Sequence, residues 1–301
     1  MFDKIKGKEN PKAEKPILLY DEKGNQYAYS KEDWAKNILP NELKKVWALP
    51  DQLYNIILMC LRDEIYNVLI EPALQLLKID YDLSRVYSIA GIVYLKNDKL
   101  KEAECILKEG ISKLPNNGVL YTNLAKVYSI KGKHKLSYDT LWKGLMLDPN
   151  QDNALNWIGA IYYEKGGEKE RNKIFDQLTM LPNSWRPQLF IARYYLENEL
   201  LDEAKKLYLD VLSKAANEAD VIMMITGDLG INGKVNEIFE IAYPFFDLNK
   251  HGIKVGLNFI QACIQGKRKD IGIEILSDIK KLERLDYIEQ INKLEKQLYD
   301  M

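Results

Sequence analysis

The chain has 301 residues, of which 47% are hydrophobic, and its 43 basic and 44 acidic side chains leave a net charge of −1. This length and apolar content are sufficient for a sizeable core. The balanced charge argues against nucleic-acid binding, which a basic excess would accompany, and against a polybasic membrane-binding segment.

The first part of the chain, residues 1–16, is predicted to be a flexible charged segment without the apolar stretch of a secretory signal. The longest apolar run, Tyr54–Leu61, is too short to cross a bilayer, which takes about 20 residues. Cys60, Cys105 and Cys263 are odd in number and far apart, so we expect buried, reduced thiols. These features predict a soluble cytoplasmic protein, and the Lys- and Ile-rich usage is compatible with a bacterial source.

Residues 17–48 are predicted to form a β-hairpin followed by short helices. Two β-prone runs, Ile17–Tyr20 and Gln26–Tyr29, flank a short connection that contains glycine. Ser30, with Asp33 three residues later, marks a helix start. An isolated hairpin is marginal in water, so this one is expected to pack on a neighbouring helix pair or on a second chain.

An irregular N-terminal helix pair is predicted over residues 49–83, and from residue 84 onward the same residue types return at a fixed period. In the first two copies they recur 34 positions apart, at Tyr87, Gly91, Tyr94, Ala103 and Pro115 and then at Tyr121, Ala125, Tyr128, Ser137 and Pro149. Each copy is predicted to be two antiparallel helices in close contact at the small residues, with proline ending the second helix.

The register of these residues defines six units, of which the last two are degenerate: 84–117, 118–151, 152–184, 185–218, 219–252 and 253–286. A period of this length is typical of a solenoid, in which each unit buries its apolar face against its neighbours. Residues 287–301 have one apolar and one charged face, and they are predicted to form a capping helix that covers the last unit.

This pattern resembles the tetratricopeptide repeat family, whose 34-residue unit has aromatic residues at positions 4 and 11, small residues at 8 and 20, and proline at 32. The resemblance implies an all-α fold, a right-handed α-α superhelix, here preceded by a small β-hairpin. The unit at 152–184 departs from the pattern, because it is one residue short and its position 20 falls on Glu170 or Arg171. Neither residue is small, so the two helices of this unit are expected to splay.

The resemblance also implies a concave groove lined by the first helix of each unit. Carried over to this sequence, the residues expected to bind a peptide are Arg85, Lys96, Asn123, Lys126, Asn156, Trp157, Tyr163, Arg186, Phe190 and Arg193. Amides can bond the backbone of an extended peptide, and aromatic surfaces can accept its side chains. Trp157 and Phe190 are also compatible with packing between adjacent helices.

The sequence contains no recognisable motif for catalysis, a metal or a cofactor. His134 and His251 lie far apart in polar contexts, as surface histidines do. Gly227–Lys234 superficially resembles a phosphate-binding loop, but Asp228 stands at the first glycine position and Val235 replaces the Ser or Thr that would hold magnesium. We therefore predict an inter-helix turn there and a non-enzymatic protein without cofactors.

The function predicted from these observations is a scaffold or adaptor that binds a peptide or protein client in the groove. One alternative is a structural homo-oligomer assembled through the N-terminal hairpin or the C-terminal helix. Another is a small-ligand or catalytic site near Gly166 and Gly167, where the shortened unit could open a pocket. Neither a nucleic-acid nor a membrane partner is expected.

Overall fold

The structure, a computed structural model, describes residues 17–20, 26–284 and 287–301. The chain divides into two compact units, the N-terminal unit (Met1–Leu147) and the C-terminal unit (Asp148–Met301). The predicted fold class, all-α with a small N-terminal β-hairpin, is confirmed. The predicted flexible segment 1–16, the hairpin turn at 21–25 and the predicted end of the sixth repeat at 286 lie outside the described residues.

The N-terminal unit contains an antiparallel hairpin followed by eight helices among its described residues. The strands are β1 (Ile17–Tyr20) and β2 (Gln26–Tyr29), with Ile17 opposite Tyr29. The helices are α1 (Lys31–Asn37), α2 (Leu39–Val46), α3 (Pro50–Arg62), α4 (Ile70–Ile79), α5 (Leu83–Lys96), α6 (Leu100–Lys113), α7 (Gly118–Ile130) and α8 (His134–Leu147). Ser30 caps α1 by accepting a hydrogen bond from the Asp33 backbone, as the sequence predicts, and Tyr29 packs the hairpin against the helical core.

Small residues permit close helix contact in α5–α6 and α7–α8. A Cβ atom added to Gly91 in α5 would lie 2.5 Å from Cδ2 of Leu107 in α6, so the glycine leaves room for a fully buried leucine. In the next pair, the buried Ser137 hydroxyl donates to the Ala125 carbonyl at 2.8 Å. The recurring small residues therefore serve the same purpose in both pairs, which is to admit the partner helix.

An ion-pair network joins α6 to the end of α7. Glu104 accepts hydrogen bonds from the ammonium groups of Lys108 and Lys131, each at 2.6 Å. These two hydrogen bonds lower the pKa of the Glu104 carboxyl from 4.5 to about 2. The ionised carboxylate thus favours the folded N-terminal unit.

The C-terminal unit contains helices α9 to α16. They are α9 (Asp152–Thr179), α10 (Arg186–Glu197), α11 (Leu201–Ala215), α12 (Ala219–Ile231), α13 (Val235–Glu237), α14 (Leu248–Gln265), α15 (Lys269–Lys280) and α16 (Ile288–Tyr299). A π turn (Ile238–Ala242) and a 3₁₀ turn (Tyr243–Phe245) extend α13. Helix α9 is interrupted at Gly166 and Gly167, and α14 at Gly252, where the backbone leaves the helical conformation.

Two regions of the C-terminal unit hold its degenerate repeats together without the usual tyrosine and alanine pattern. An aromatic cluster of Phe239, Tyr243, Phe246 and Phe259 packs around the π turn, with ring centroids 4.6 to 5.8 Å apart. At the C-terminal end, Leu298 of α16 fills the space beside Gly272 of α15, and Ile291 and Leu294 are also buried. Burial of apolar side chains therefore stabilises these repeats, although their sequences depart from the regular pattern.

Two expectations about single residues were wrong. His251 is not a surface histidine but a buried one, 5% exposed. Its Nδ1 accepts a hydrogen bond from the Asp247 backbone at 2.9 Å, and its Nε2 lies 2.8 Å from the Ala216 carbonyl oxygen, to which it donates in the matching tautomer. Of the cysteines, Cys60 and Cys263 are buried, and burial raises the pKa of both thiols to about 12, but Cys105 is exposed.

The segment predicted to be an inter-helix turn, Gly227–Lys234, is only partly a turn. Residues Gly227–Ile231 form the last turns of α12, and the chain reverses at Gly233, where φ is +69°. Within the described ranges, every helix falls short of the length and apolarity that a bilayer span would need.

Substituting Glu104 tests the charge network of the N-terminal unit. Because the folded-state pKa lies below the ordinary value, the carboxylate stabilises the fold fully above pH 4.5 and loses this effect as the pH falls toward 2. Glu104→Gln should lower the free energy of unfolding by about 1–2 kcal/mol at pH 7 and flatten its pH dependence between those values. Urea titrations across this pH range measure both effects. Glu102→Gln, at an exposed position of the same helix, is the control, and an equal loss in that variant would contradict the assignment.

Two glycine-to-alanine substitutions inside helices should have opposite effects on stability. Gly91→Ala places a methyl group against Leu107 and should destabilise the protein by about 1–3 kcal/mol. Gly227→Ala meets no atom within 4 Å and should stabilise the protein by up to about 1 kcal/mol, because alanine favours helix. Thermal melting followed by circular dichroism compares them, and shifts of the same sign would contradict the packing argument.

Candidate functional site

The four groove residues predicted in the N-terminal unit lie on α5 and α7, and two of them are engaged by side chains of the same unit. Arg85 forms ion pairs with Asp80 and Asp51, and its guanidinium lies 2.7 Å from the Asp51 carboxylate. The Lys96 ammonium lies 5.1 Å from the centre of the Tyr66 ring. Both cations are thus already placed against groups of their own unit.

Asn123 and Lys126 lie one turn apart on α7. The Asn123 side chain is half-buried, and its Nδ2 has no hydrogen-bond partner among the described residues, whereas Lys126 is exposed. A buried amide group without a hydrogen-bond partner is energetically unfavourable. Asn123 is therefore the stronger candidate of the two for a contact with a ligand. These positions remain predictions as contacts for a peptide.

Arg186, predicted to line the groove of the C-terminal unit, is instead buried. Its guanidinium pairs with Asp220, lies 3.7 Å from the Asp152 carboxylate and stacks 4.7 Å from the centre of the Trp185 ring. These contacts connect the start of α10 with the starts of α9 and α12. Trp157 is half-buried on α9.

The remaining four predicted residues come together in the C-terminal unit. They border a cavity of about 510 Å³, called here the α9–α10 pocket, which lies between the two halves of α9 and helix α10. Its lining residues are Asn156, Gly159, Ala160, Tyr163, Glu168, Arg171, Phe175, Phe190, Arg193, Tyr194 and Glu197.

A large residue stands beside the pocket at the position where two other helix pairs have an alanine. Ala103 in α6 and Ala204 in α11 occupy that position and are fully buried. In α9 it falls at Arg171, which reaches the pocket and pairs with Glu168. A Cβ atom added to Gly159 in the first half of α9 would lie 3.7 Å from Cγ of Arg171, so the arginine stem packs close to that half. The splaying of the two helices stays a prediction.

Aromatic rings form the apolar part of the pocket. Phe175 is buried in the space left by Gly159, and it meets Phe190 edge to face, with ring centroids 5.2 Å apart. The Arg171 guanidinium lies between two tyrosines, 5.9 Å from the Tyr163 ring centre and 6.0 Å from that of Tyr194. Phe190 therefore both packs between helices and borders the pocket, which combines the two interpretations that its sequence position allowed.

Arg193 is held in place by a buried carboxylate. Its Nε donates to Asp228 at 2.8 Å, and its guanidinium lies 5.4 Å from the Phe190 ring centre. Burial raises the pKa of Asp228, an effect that Arg193 opposes, and it also raises the pKa of the neighbouring Tyr208. The cost of burying Asp228 is thus partly offset by the arginine that borders the pocket.

Asn156 and Tyr163 stand at the outer edge of the pocket. Tyr163 is 50% exposed, and the exposed Asn156 side chain donates through Nδ2 to the Asp152 carboxylate at 3.0 Å. Among the described residues, nothing donates a hydrogen bond to Asn156 Oδ1. The edge thus offers an acceptor and an aromatic surface to an incoming molecule.

Sequence reasoning missed seven of the residues that line the pocket: Gly159, Ala160, Glu168, Arg171, Phe175, Tyr194 and Glu197. One signal was available, since the absence of a small residue at position 20 of this unit predicted that its helices would splay. Within the described part of the chain, no group of three or more His, Cys, Asp or Glu is placed to hold a metal ion.

Splitting α9 requires a backbone conformation that glycine supplies. Gly167 has φ +68° and ψ −156°, a region that side-chain-bearing residues rarely adopt. The neighbouring Gly166 would place a Cβ 2.7 Å from Glu170 Cγ. The two glycines therefore allow the chain to leave the helix between Lys165 and Glu168 and resume it on the other side of the pocket.

No known protein-family model matches the chain. The curated relatives include the photosystem I assembly protein Ycf3 of Prochlorococcus marinus strains MIT 9301 and MIT 9215. Each is 28% identical over 120 residues, which covers 38% of this chain and 69% of the relative.

Similar solved structures include yeast Tom70, with 16% identity, a TM-score of 0.49, and coverage of 90% of this chain and 57% of Tom70. TTC0263, a tetratricopeptide repeat protein of Thermus thermophilus, has 17% identity and a TM-score of 0.36, and the match covers 60% of this chain and 98% of that protein.

Gly167→Ala tests the split of α9. A methyl group at this backbone conformation should lower the free energy of unfolding of the C-terminal unit by about 1–3 kcal/mol. Hydrogen exchange of the α9 amides should accelerate on both sides of residue 167, because the strain falls on both halves of the helix. Gly227→Ala, which adds the same methyl group in open helical surroundings, is the control. Unchanged exchange in Gly167→Ala would contradict the requirement for glycine.

Proposed function

We propose that this chain, a tetratricopeptide repeat protein, is a non-enzymatic scaffold or adaptor that binds a polypeptide segment against the first helices of its repeats. In the C-terminal unit, the α9–α10 pocket would be the anchor of that surface. One observation carries the proposal: four groove residues expected from the sequence, Asn156, Tyr163, Phe190 and Arg193, border this one cavity.

The form of the pocket supports a polypeptide ligand. An extended chain passing over Tyr163 could place one side chain between the aromatic rings, and one of its backbone N–H groups could donate to Asn156 Oδ1. Aromatic residues and arginines in a pocket are the side chains that most often dominate binding energy at protein interfaces. The exposed edge allows the ligand to continue beyond the pocket in both directions.

The chemistry of the lining is compatible with a binding site. Among the described residues that line the pocket there is no Ser, Thr, Cys, His or Lys, and of its two carboxylates that of Glu168 is paired with Arg171. Both arginines are paired with carboxylates, and both face aromatic rings. Such an arrangement fixes the shape and charge of a recognition site.

The curated relatives suggest the kind of process. They are named as assembly proteins for photosystem I. We propose an assembly role for the present chain as well, in which the α9–α10 pocket selects the polypeptide client. We do not propose photosystem I as that client.

A small-molecule site is the second candidate, and the size of the cavity favours it. At about 510 Å³, the pocket falls within the usual range of ligand sites, roughly 300–1,000 Å³. Thermal shifts with a panel of metabolites distinguish this candidate, because a scaffold should respond to peptides and not to the panel.

Removing an aromatic side chain from the edge of the pocket should weaken peptide binding without unfolding the protein. Heptapeptides selected from a random display library on the wild-type protein serve as probes. Tyr163→Ala should weaken their binding by about tenfold or more, measured by fluorescence anisotropy, because the exposed ring loses its contact with the ligand. The half-exposed position of this ring predicts only a small change in melting temperature.

Tyr81→Ala is the matched control, since Tyr81 is 98% exposed and lies in the N-terminal unit. It should bind the selected peptides as the wild type does. If the library yields no peptide that binds the wild type, or if Tyr163→Ala binds every selected peptide with unchanged affinity, the proposed function is wrong.

A further inference from the structure

The charges around the α9–α10 pocket neutralise one another with one exception. Glu168 pairs with Arg171, and Asp228 pairs with Arg193. The remaining charged residue of the lining, Glu197, has no hydrogen bond or ion pair with any described residue. The pocket therefore presents one carboxylate without a cationic partner.

Helix geometry increases the negative potential at this carboxylate. Glu197 is the last residue of α10, and the last turn of that helix contains no basic residue. The aligned peptide dipoles of a helix give its C-terminus a partial negative charge, so a basic residue is the stabilising choice there and an acidic residue is unfavourable. A cation placed beside Glu197 would interact favourably with both the carboxylate and the helix end.

The rest of the lining is suited to the apolar part of such a cation. Phe190 and Tyr194 lie on α10 with Glu197, and Tyr163 faces them from the first half of α9. Lysine and arginine bury their methylene groups against surfaces of this kind while the charged end remains beside a carboxylate. Aromatic rings also attract cations through their negative faces.

We propose that the α9–α10 pocket selects a lysine or arginine side chain of the bound polypeptide, with Glu197 as the partner of its charge. This assignment rests on the proposed function and adds the chemistry that the site selects. An acidic side chain is disfavoured, because it would meet Glu197 and the end of α10, and because Arg171 and Arg193 already have carboxylate partners.

The experiment compares peptide selection and affinity for the wild type, Glu197→Gln and Glu164→Gln. Glu164 is an exposed carboxylate on α9 outside the pocket lining, so its variant is the isosteric control. Random heptapeptides selected on the wild type should be enriched in Lys or Arg at one position. The affinity of such a peptide should fall about tenfold in Glu197→Gln and less than about twofold in Glu164→Gln.

The melting temperature of Glu197→Gln should be unchanged or higher, since the substitution removes an unfavourable charge from a helix end. This separates lost binding from lost folding. The wild-type affinity should also fall as the salt concentration rises, because the contact is between charges near the surface.

The other outcomes distinguish this inference from the function on which it rests. Selected peptides without a basic preference, or equal affinity in Glu197→Gln, would overturn the selection of a cation and leave polypeptide binding standing. Agmatine alone binding as tightly as the selected peptide would make the occupant a free organic cation and would also overturn the assignment. Absence of any selected peptide would overturn both.

Discussion

The close approach of two short helices is the constraint on which this architecture depends. A pair such as α5 and α6 can bury its apolar face only if the backbones come near enough for Leu107 to occupy the space beside Gly91. In α7 and α8 the same approach brings the Ser137 hydroxyl to the Ala125 carbonyl. Because packing in a protein interior tolerates little excess volume, these small residues follow directly from the helix contact and recur with the period of the repeat.

The candidate site lies in the unit whose sequence departs from that pattern. Arg171 takes the place of a small residue, Gly166 and Gly167 break α9, and the space between its halves becomes a cavity lined with aromatic rings. At this cavity Phe175 meets Phe190 edge to face, and the Arg171 guanidinium lies 5.9 and 6.0 Å from the ring centres of Tyr163 and Tyr194. The proposed binding site thus coincides with a departure from the repeat pattern.

The pairing of charged side chains determines which ligand this cavity is proposed to prefer. Both arginines of the groove predicted for the C-terminal unit are paired internally, Arg186 with Asp152 and Asp220 and Arg193 with Asp228. In the proposed binding site, the carboxylate left for a ligand is that of Glu197, at the end of α10. Counting basic residues along the predicted groove therefore misleads, since the sum of the charges says nothing about which of them are already paired.

The sequence by itself determined the repeat, the all-α class and the departure at the third unit, because helix periodicity, small residues and proline act over a few residues of chain. Four pocket residues were also predicted, since first-helix positions follow from the register. Only the tertiary structure decided that Arg186 is buried, that His251 bridges the Asp247 and Ala216 backbones, and that Glu197 lacks a partner. The pairing of Arg186 with Asp220 and of His251 with Ala216 joins residues 34 and 35 positions apart in the sequence, and no local pattern records such contacts.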